Sequence, residues 1–342
     1  MKFVAAKLNL IVTVFLFAGL LPACSSPSSR ADSAALVLYS GRSESLVGPL
    51  IEQFSAETGI EVKVRYGNTA ELAATILEEG ANSPADVFFA QDPGGLGVIA
   101  DAGLLAELPA ELLDQVDARF YSPDGLWVGV SGRARVVVYN TDTLSPADLP
   151  ADISGFTDPQ WKGRIGLPPT NGSFQTMVTG MRQVWGEEKT REWLQGIMQN
   201  EPTFYEKNTP VVAAVAAGEV EVGFVNHYYL YRFLQEEGES FAARNYFLPG
   251  GGPGSLVMVS GVGRLATSPN QANALKFIEF LLSTQAQQFF AHETFEYPMI
   301  AGVQIPDLLP PLTTLTPLDI ALSDLADLQG TVALLQEVGL LP

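Results

Sequence analysis

Cysteine and histidine are nearly absent from this chain. Among its 342 residues there is one cysteine, Cys24, and there are two histidines, His227 and His292. A lone thiol has no partner for a disulfide, so a disulfide-stapled scaffold is excluded. Structural zinc and haem sites need clustered ligands of these two types, and the sequence shows no such cluster.

Catalytic motifs are also missing. No GxSxG elbow, P-loop or GxGxxG sequence follows a strand and opens a helix. The glycine-rich segment Gly250–Gly254 precedes a predicted strand, which makes it a poor cradle for phosphate. Nothing marks a convergent acid, base and nucleophile. We therefore predict a binding protein with no catalytic cofactor, and not an enzyme.

Basic residues and long apolar runs are scarce. The chain has 19 Lys and Arg residues against 38 Asp and Glu residues, a net charge of −19. A negative field of this size disfavours nucleic acid and attracts cationic solutes, although solubility alone would account for it equally well. The longest apolar segment runs from Leu8 to Leu21, about 14 residues, whereas a membrane-spanning helix needs about 20.

The N-terminus has the pattern of an export signal. Lys2 and Lys7 lead into the apolar segment, and Leu21-Pro22-Ala23-Cys24 follows it, as in a secretory signal peptide. These four residues resemble a bacterial lipobox with Cys24 as the lipidated residue; an ordinary signal peptide that ends near a cysteine is the alternative. We predict a lipoprotein signal peptide at 1–23, a serine-rich flexible tether at 24–34, and a lipid anchor at the outer face of the cytoplasmic membrane, in the periplasm or outside the cell.

The mature chain alternates strands and helices. Residues 24–342 number 319, more than one core usually holds, so two lobes are expected. Alternation of strand and helix predicts an α/β fold in which each lobe is a mostly parallel sheet flanked by helices, with a ligand cleft between the lobes. The predicted strands are 36–39, 60–66, 85–89, 135–139, 162–167, 220–226 and 255–262, and the predicted helices include 46–54, 72–77, 174–185, 187–200, 211–217, 230–237, 272–282 and 285–290.

Four segments follow predicted strands and become candidates for the ligand site. In open parallel sheets ligands bind beyond the carboxyl ends of the strands. The segments are Tyr39–Glu44, Ala90–Gly94, Thr170–Phe174 and Asn226–Tyr229.

Two adjacent tyrosines, Tyr228 and Tyr229, end an apolar strand. Phenolate oxygen suits a hard, highly charged ion such as ferric iron, and coordination lowers the tyrosine pKa far below about 10. On a regular strand the two side chains would diverge, but a bend at a strand-to-helix junction could bring both oxygens to one ion. Tyrosines also line sugar and amine pockets or pack a lobe surface, so the pair alone leaves the ligand open. His227 is interpreted as a locally bonded neighbour and not as a ligand.

The chain resembles the ferric-iron subgroup of periplasmic binding proteins, which serve ABC importers and have the two-lobed type II fold. The resemblance covers nearly all of the mature chain and rests on seven segments in order. They are Leu38–Arg42, Ser83–Phe89, Ser131–Asn140, Trp161–Gly163, Pro169–Phe174, Lys207–Thr209 and Asn226–Tyr229.

The resemblance implies roles for individual residues. Tyr228 and Tyr229 match the family's paired iron-binding tyrosines. A loop that in relatives holds a synergistic anion such as carbonate matches the start of a predicted helix, where N–H groups suit an anion; helix capping is the alternative interpretation. The predicted anion-binding residues are Asn171, Gly172, Ser173, Asn208, Asn226 and Arg133.

Other positions depart from the family pattern. Ser43 stands where some relatives have a histidine, Gln91 where they have a glutamate, and Phe174 where others have a tyrosine. Ferric iron takes about six donors, so anions, water, Asp92 or Glu44 would have to complete the shell. Ser43, Glu44, Gln91 and Asp92 are therefore additional candidates for the metal or the cleft.

Arg133 and Arg135 flank one predicted strand. A structural salt bridge is the interpretation we favour for them, and contact with an anion is the alternative, because a guanidinium offers a bidentate fork.

The resemblance implies a monomeric substrate-binding lipoprotein that takes up Fe(3+) with carbonate or bicarbonate and delivers it to an ABC permease and its ATPase. It implies an N-terminal lobe of 35–132 plus about 259–308, and a C-terminal lobe of 133–258 plus about 309–342. Two alternatives remain: the same fold with a polyamine, a phosphonate or another small anion, and an extracytoplasmic sensor lipoprotein. No interaction with nucleic acid is expected.

Overall fold

The computed structural model describes residues 35–342. The predicted signal peptide, the tether and the lipidation of Cys24 lie outside these residues. Within residues 35–342, no helix combines the length and the apolar character that crossing a bilayer requires.

The described residues form strands and helices that alternate along most of the chain. The strands are β1 Leu36–Ser40, β2 Val62–Tyr66, β3 Val87–Ala90, β4 Leu105–Ala106, β5 Val128–Asn140, β6 Ile165–Leu167, β7 Thr203–Phe204, β8 Val222–Asn226, β9 Ala243–Tyr246, β10 Val257–Leu265 and β11 Tyr297–Pro298. The helices are α1 Glu44–Thr58, α2 Thr69–Glu79, α3 Pro93–Asp101, α4 Ala110–Leu113, α5 Gly172–Trp185, α6 Glu187–Gln199, α7 Asn208–Ala216, α8 Tyr228–Glu237, α9 Gln271–Leu281, α10 Thr284–His292 and α11 Leu328–Glu337.

Strand β5 joins two halves of the sheet, whose main order is β2-β1-β3-β10-β5-β8-β6-β7. Its first part, 128–134, pairs with β10; its second part, 135–140, pairs with β8 and β9. We call β1–β4, β10 and β11 the first half, and β6–β9 the second half. The α/β class with a sheet flanked by helices is confirmed.

The sheet is mixed, and this corrects the expectation of mostly parallel strands. The outer strands are parallel, with β1 between β2 and β3, and with β6 between β7 and β8. Strands β5 and β10 run antiparallel to each of their neighbours in the sheet. Strand β5 runs from the first half towards the second, and β10 runs back. Because these two neighbouring strands run in opposite directions, the sheet cannot be parallel throughout.

Local sequence accounts for the first helix. Apolar side chains at helical spacing bury one face of α1. The helix ends at Gly59, whose φ of 70° lies in the left-handed region that glycine adopts without a Cβ clash. Buried Phe54 then meets Phe277 with ring centroids 5.1 Å apart, so α1 packs against α9. The helix predicted from the apolar spacing therefore forms, with α9, part of a helical layer in the first half.

The C-terminal tail contacts two helices, α3, which packs on β3 and β10 of the first half, and α5, which packs on β8 of the second half. The short 3₁₀ turn Leu322–Leu325 packs against α3 and α5, and α11 packs against α5. A Cβ at Gly94 would lie 3.2 Å from the carbonyl oxygen of Leu325, and a Cβ at Gly180 would lie 3.6 Å from its side chain. These two glycines therefore allow the tail to approach one helix from each half.

Asp86 is a buried carboxylate that holds the first half together. It accepts hydrogen bonds from the Val37 N–H at 2.7 Å, from Ser268 Oγ at 2.5 Å and from Asn270 Nδ2 at 3.1 Å. Asp86→Ala is expected to lower the free energy of unfolding by about 3 kcal/mol, because three donors lose a charged acceptor. Urea denaturation checks this, with the exposed Asp124→Ala as control. Equal midpoints for the two variants would contradict the prediction.

Candidate metal centre

The tyrosine pair lies at a strand-to-helix junction. Strand β8 ends at Asn226, His227 already has helical dihedrals, and α8 begins at Tyr228. The rings of Tyr228 and Tyr229 stack, with centroids 4.2 Å apart and planes 28° from parallel. Tyr228 is buried and Tyr229 is half-buried. The chain therefore bends where the sequence argument required a bend, and two phenols lie side by side.

Burial keeps the Tyr228 phenol protonated. Loss of solvation raises the pKa of Tyr228 well above its ordinary value, and the neighbouring Tyr229 raises it further. The positive charges of Arg133 and Arg42 act in the opposite direction. A cation bound at the pair would supply the additional positive charge that ionises a buried phenol.

A buried ion cluster lies in the first half of the sheet. The Arg42 guanidinium donates to Glu296 Oε2 at 2.6 Å, and Thr294 Oγ1 donates to the same oxygen at 3.0 Å. Arg133 Nε lies 3.9 Å from Glu296 Oε1. All three charged side chains have zero exposure, so one carboxylate faces two guanidinium groups. We call Arg42, Glu296 and Arg133 the arginine–glutamate cluster.

Arg133 makes its hydrogen bonds within the first half. It donates to the carbonyl oxygen of Gln91, which also accepts from Ser260 Oγ at 3.2 Å. It also donates to the carbonyl oxygen of Val259 at 3.4 Å. The ion pair with Glu296 is the salt-bridge role foreseen for Arg133.

The second half carries a group of neutral polar side chains at two helix N-termini. Asn171 caps α5, and its Oδ1 accepts from the Ser173 N–H at 3.1 Å and from Ser173 Oγ at 2.5 Å. Asn208, the first residue of α7, donates to Asn171 Oδ1 at 3.3 Å and to Ser173 Oγ at 3.4 Å. The capping interpretation therefore holds for Asn171, and the predicted anion-binding residues on these two helices lie together.

Arg135 is the cation of this polar group. It donates to Ser173 Oγ at 3.4 Å, to Asn226 Oδ1 at 3.1 Å and to the Phe224 carbonyl oxygen at 2.7 Å. Within residues 35–342 no carboxylate pairs with it, so the salt bridge foreseen for Arg135 is not formed there. Burial lowers the pKa of Arg135 to about 9. Strand alternation places positions 133 and 135 on one face, but no local signal in the sequence distinguishes their partners.

Polar atoms around Arg135 have unused bonding capacity. In the described part of the chain, Asn208 Oδ1, Asn226 Nδ2 and Arg135 Nε are buried and without a partner. Buried polar groups are normally satisfied, so these three atoms are available to a ligand.

The additional cleft candidates are dispersed. Ser43 and Glu44 are exposed at the start of α1; loss of solvation raises the pKa of Tyr66, and the charge of Glu44 raises it further. Asp92 precedes α3; burial raises its pKa, while Arg133 and the N–H groups at the start of α3 oppose that shift. Within residues 35–342 no hydrogen bond or ion pair joins Ser43, Glu44 or Asp92 to the tyrosine pair. No group of three or more His, Cys, Asp and Glu side chains able to hold a metal occurs in the same range.

His227 uses both ring nitrogens within the protein. Its Nδ1 accepts from the Ala134 N–H at 3.1 Å, and its Nε2–H donates to the Phe295 carbonyl oxygen at 2.7 Å. Burial lowers the pKa of His227 to about 4, which keeps the ring neutral at pH 7. His227 therefore precedes the tyrosine pair in sequence, and hydrogen bonds within the protein occupy both of its ring nitrogens. Neither nitrogen is free to bind a metal.

Comparison with known proteins identifies the class. The family of bacterial extracellular solute-binding proteins matches residues 49–310, and the chain belongs to this family. It is therefore a solute-binding protein and not an enzyme.

Individual relatives are similar over most of their length. The chain is 35% identical to the Fe(3+)-binding periplasmic protein of Serratia marcescens over 311 residues, 90% of each chain. Iron-bound HitA from Pseudomonas aeruginosa superposes with a TM-score of 0.84 at 35% identity, covering 89% of this chain and 99% of the other. A Trichodesmium protein, IdiA or FutA, solved with iron and citrate, gives a TM-score of 0.79 at 31% identity, covering 89% and 99%. Both of these solved structures contain bound iron.

Proposed function

We propose that this chain captures ferric iron for import, with Tyr228 and Tyr229 as the protein ligands. The stacked pair at the start of α8 carries the proposal, because it places two phenols together, and the charges of Arg133 and Arg42 act to lower the pKa of Tyr228. The iron-binding names of the relatives support the same ligand. Iron is the cargo here, and the protein contributes oxygen donors and charge.

Two phenolates supply only part of a ferric shell of about six donors. A small oxyanion such as carbonate would bind at the start of α5, where Ser173 and Asn208 offer polar groups and Arg135 offers a positive charge that no carboxylate of residues 35–342 pairs with. Gly172 leaves this helix start open, since a Cβ there would meet no atom within 4 Å. Asp92 or water would complete the shell.

The remaining parts of the proposal concern export and delivery. Export through the signal at 1–23 and a lipid on Cys24 would hold the protein at the outer face of the cytoplasmic membrane, as a monomer. Closure of the two lobes, 35–132 plus about 259–308 and 133–258 plus about 309–342, would enclose the iron before transfer to an ABC permease and its ATPase.

Ferric titration tests the metal and its ligands. Mature protein is titrated with ferric nitrilotriacetate in bicarbonate buffer while visible absorbance is recorded. A phenolate-to-iron band should saturate near one equivalent. Tyr228→Phe or Tyr229→Phe should each weaken binding by more than about 100-fold, since loss of an outer-shell partner alone costs about 10- to 100-fold. The double variant should show no band.

Tyr231→Phe is the matched control. Tyr231 is a buried tyrosine in the same helix, outside the pair, and its variant should keep the band. Absence of the band in the wild type would reject the ferric function. A small anion as sole ligand, favoured by the unpaired Arg135, would then become the leading proposal.

A further inference from the structure

His227 connects three segments that are distant in sequence. Its backbone N–H donates to the Ala134 carbonyl at 3.0 Å, and its Nδ1 accepts from the N–H of that same residue at 3.1 Å. Its Nε2–H reaches the Phe295 carbonyl at 2.7 Å. The histidine thus joins β5, at the residue between the two site arginines, to the start of α8 and to the loop before β11.

The loop that His227 contacts is strained. Phe295 has a φ of 56°, in the left-handed region that a bulky side chain rarely adopts. Such a residue costs about 1–3 kcal/mol and persists only where surrounding bonds hold it. Two bonds do so: the histidine binds the Phe295 carbonyl, and the next N–H, of Glu296, donates to the Phe290 carbonyl at 2.9 Å.

The strained residue directly precedes Glu296. The Glu296 side chain enters the core, where it meets Arg42 at 2.6 Å and Thr294 at 3.0 Å. The chain of contacts therefore runs from the residue before Tyr228, through a hydrogen bond and a strained peptide, to the carboxylate of the arginine–glutamate cluster.

Further contacts fix the imidazole itself. Its ring lies 4.9 Å from the Tyr297 ring, and Asn245 Nδ2 donates to the His227 carbonyl oxygen at 2.8 Å. Both ring nitrogens, the N–H and the carbonyl oxygen are therefore engaged. Because the ring is held on all these sides, a shift of one of the contacting segments would displace the others.

We propose that His227 is a positioning residue, which holds the tyrosine pair in fixed register with the arginine–glutamate cluster so that bound iron is retained. The proposal rests on the proposed ferric function of Tyr228 and Tyr229. Without the imidazole nitrogens, Phe295 relaxes to negative φ and Glu296 leaves Arg42. The guanidinium groups then move relative to the phenols, which changes the environment of the metal and speeds its release.

Three variants test this role in the full mature protein. His227→Phe keeps a ring beside Tyr297 and removes both nitrogens, whereas His227→Gln retains an amide donor and acceptor. Trp193→Phe is the control: it removes a buried ring N–H donor to a backbone carbonyl, 3.0 Å from Ile153, in the apolar core of the second half. The readouts are the wavelength of the ferric band, the rate of iron transfer to excess EDTA, and the urea midpoint of the metal-free protein.

The expected result separates positioning from stability. His227→Phe should shift the band and speed iron transfer by about 10- to 100-fold, as loss of outer-shell partners does, with His227→Gln intermediate. Trp193→Phe should lower the urea midpoint comparably and leave the band and the transfer rate at wild-type values. If His227→Phe lowers only the midpoint, or if both aromatic variants change the iron readouts alike, His227 is a structural cross-link and the proposal is overturned.

The experiments distinguish failure of the ferric function from failure of the positioning role of His227. Wild-type protein that shows no ferric band overturns the ferric function and this inference with it. A wild-type band that is lost in the double tyrosine variant and unchanged in His227→Phe overturns this inference alone.

Discussion

Glu296→Gln is expected to destabilise the metal-free protein by about 3–5 kcal/mol, the usual cost of removing one partner from a buried ion pair. Within the described residues Glu296 is the only carboxylate in contact with Arg42 or Arg133, and all three side chains have zero exposure. Glutamine has nearly the size of glutamate and keeps an oxygen that can accept from Thr294. The loss of stability therefore reports the removal of the negative charge. Urea unfolding should show a lower midpoint at an unchanged slope.

The control for this prediction is an ion pair of lower burial. Glu221 pairs with Arg164, and both side chains are more than a quarter exposed. Glu221→Gln should cost about 0–1 kcal/mol, because solvent screens the pair. If the two glutamine variants unfold at the same urea concentration, the arginine–glutamate cluster contributes no more than a surface pair, and the prediction is wrong.

Arg135→Met should produce an effect of the opposite sign on the metal-free protein. A buried guanidinium that meets only neutral acceptors, as Arg135 does among residues 35–342, has an uncompensated desolvation cost. Replacing it with an apolar side chain of similar length should leave stability unchanged or raise it by about 1–4 kcal/mol. The same change should remove the benefit of bicarbonate for ferric retention, which in the wild type we expect to be about 10- to 100-fold. Thermal unfolding and iron transfer to EDTA, with and without bicarbonate, check both parts.

Arg182→Met is the matched control for Arg135→Met. Arg182 is a mostly buried guanidinium that pairs with Glu187 and Asp327. Its replacement should lower stability and leave the response to bicarbonate intact. A strong loss of stability in Arg135→Met, with an unchanged bicarbonate effect, would assign Arg135 a structural role in place of an anion-binding one.

Regular elements and the location of the tyrosine pair followed from local sequence. Apolar spacing and Gly59 mark α1, and the apolar run that ends at Asn226 marks β8, so the junction that carries Tyr228 and Tyr229 was predictable. Strands of two residues were not, since β4, β7 and β11 have no period to detect. Such strands exist because a neighbouring strand offers free backbone groups.

The charged part of the site depended on contacts that no local pattern contains. Arg42 and Glu296 are 254 positions apart, and the positive φ of Phe295, the residue before Glu296, has no signal in the sequence. The choice between Arg133 and Arg135 as partner of the polar group depended on where β5 exchanges β10 for β8. Contacts between residues that are far apart in sequence determine both features. They cannot be predicted from the local patterns of a single sequence.

The C-terminal tail described above lies close to two of the site candidates. Leu325 touches α3 and α5, and the residues just before these helices, Asp92 and Asn171, are both site candidates. Any movement of α3 away from α5 would therefore break the contact of Leu325 with Gly94 or with Gly180. The turn Leu322–Leu325 therefore ties together two helices that begin beside site candidates.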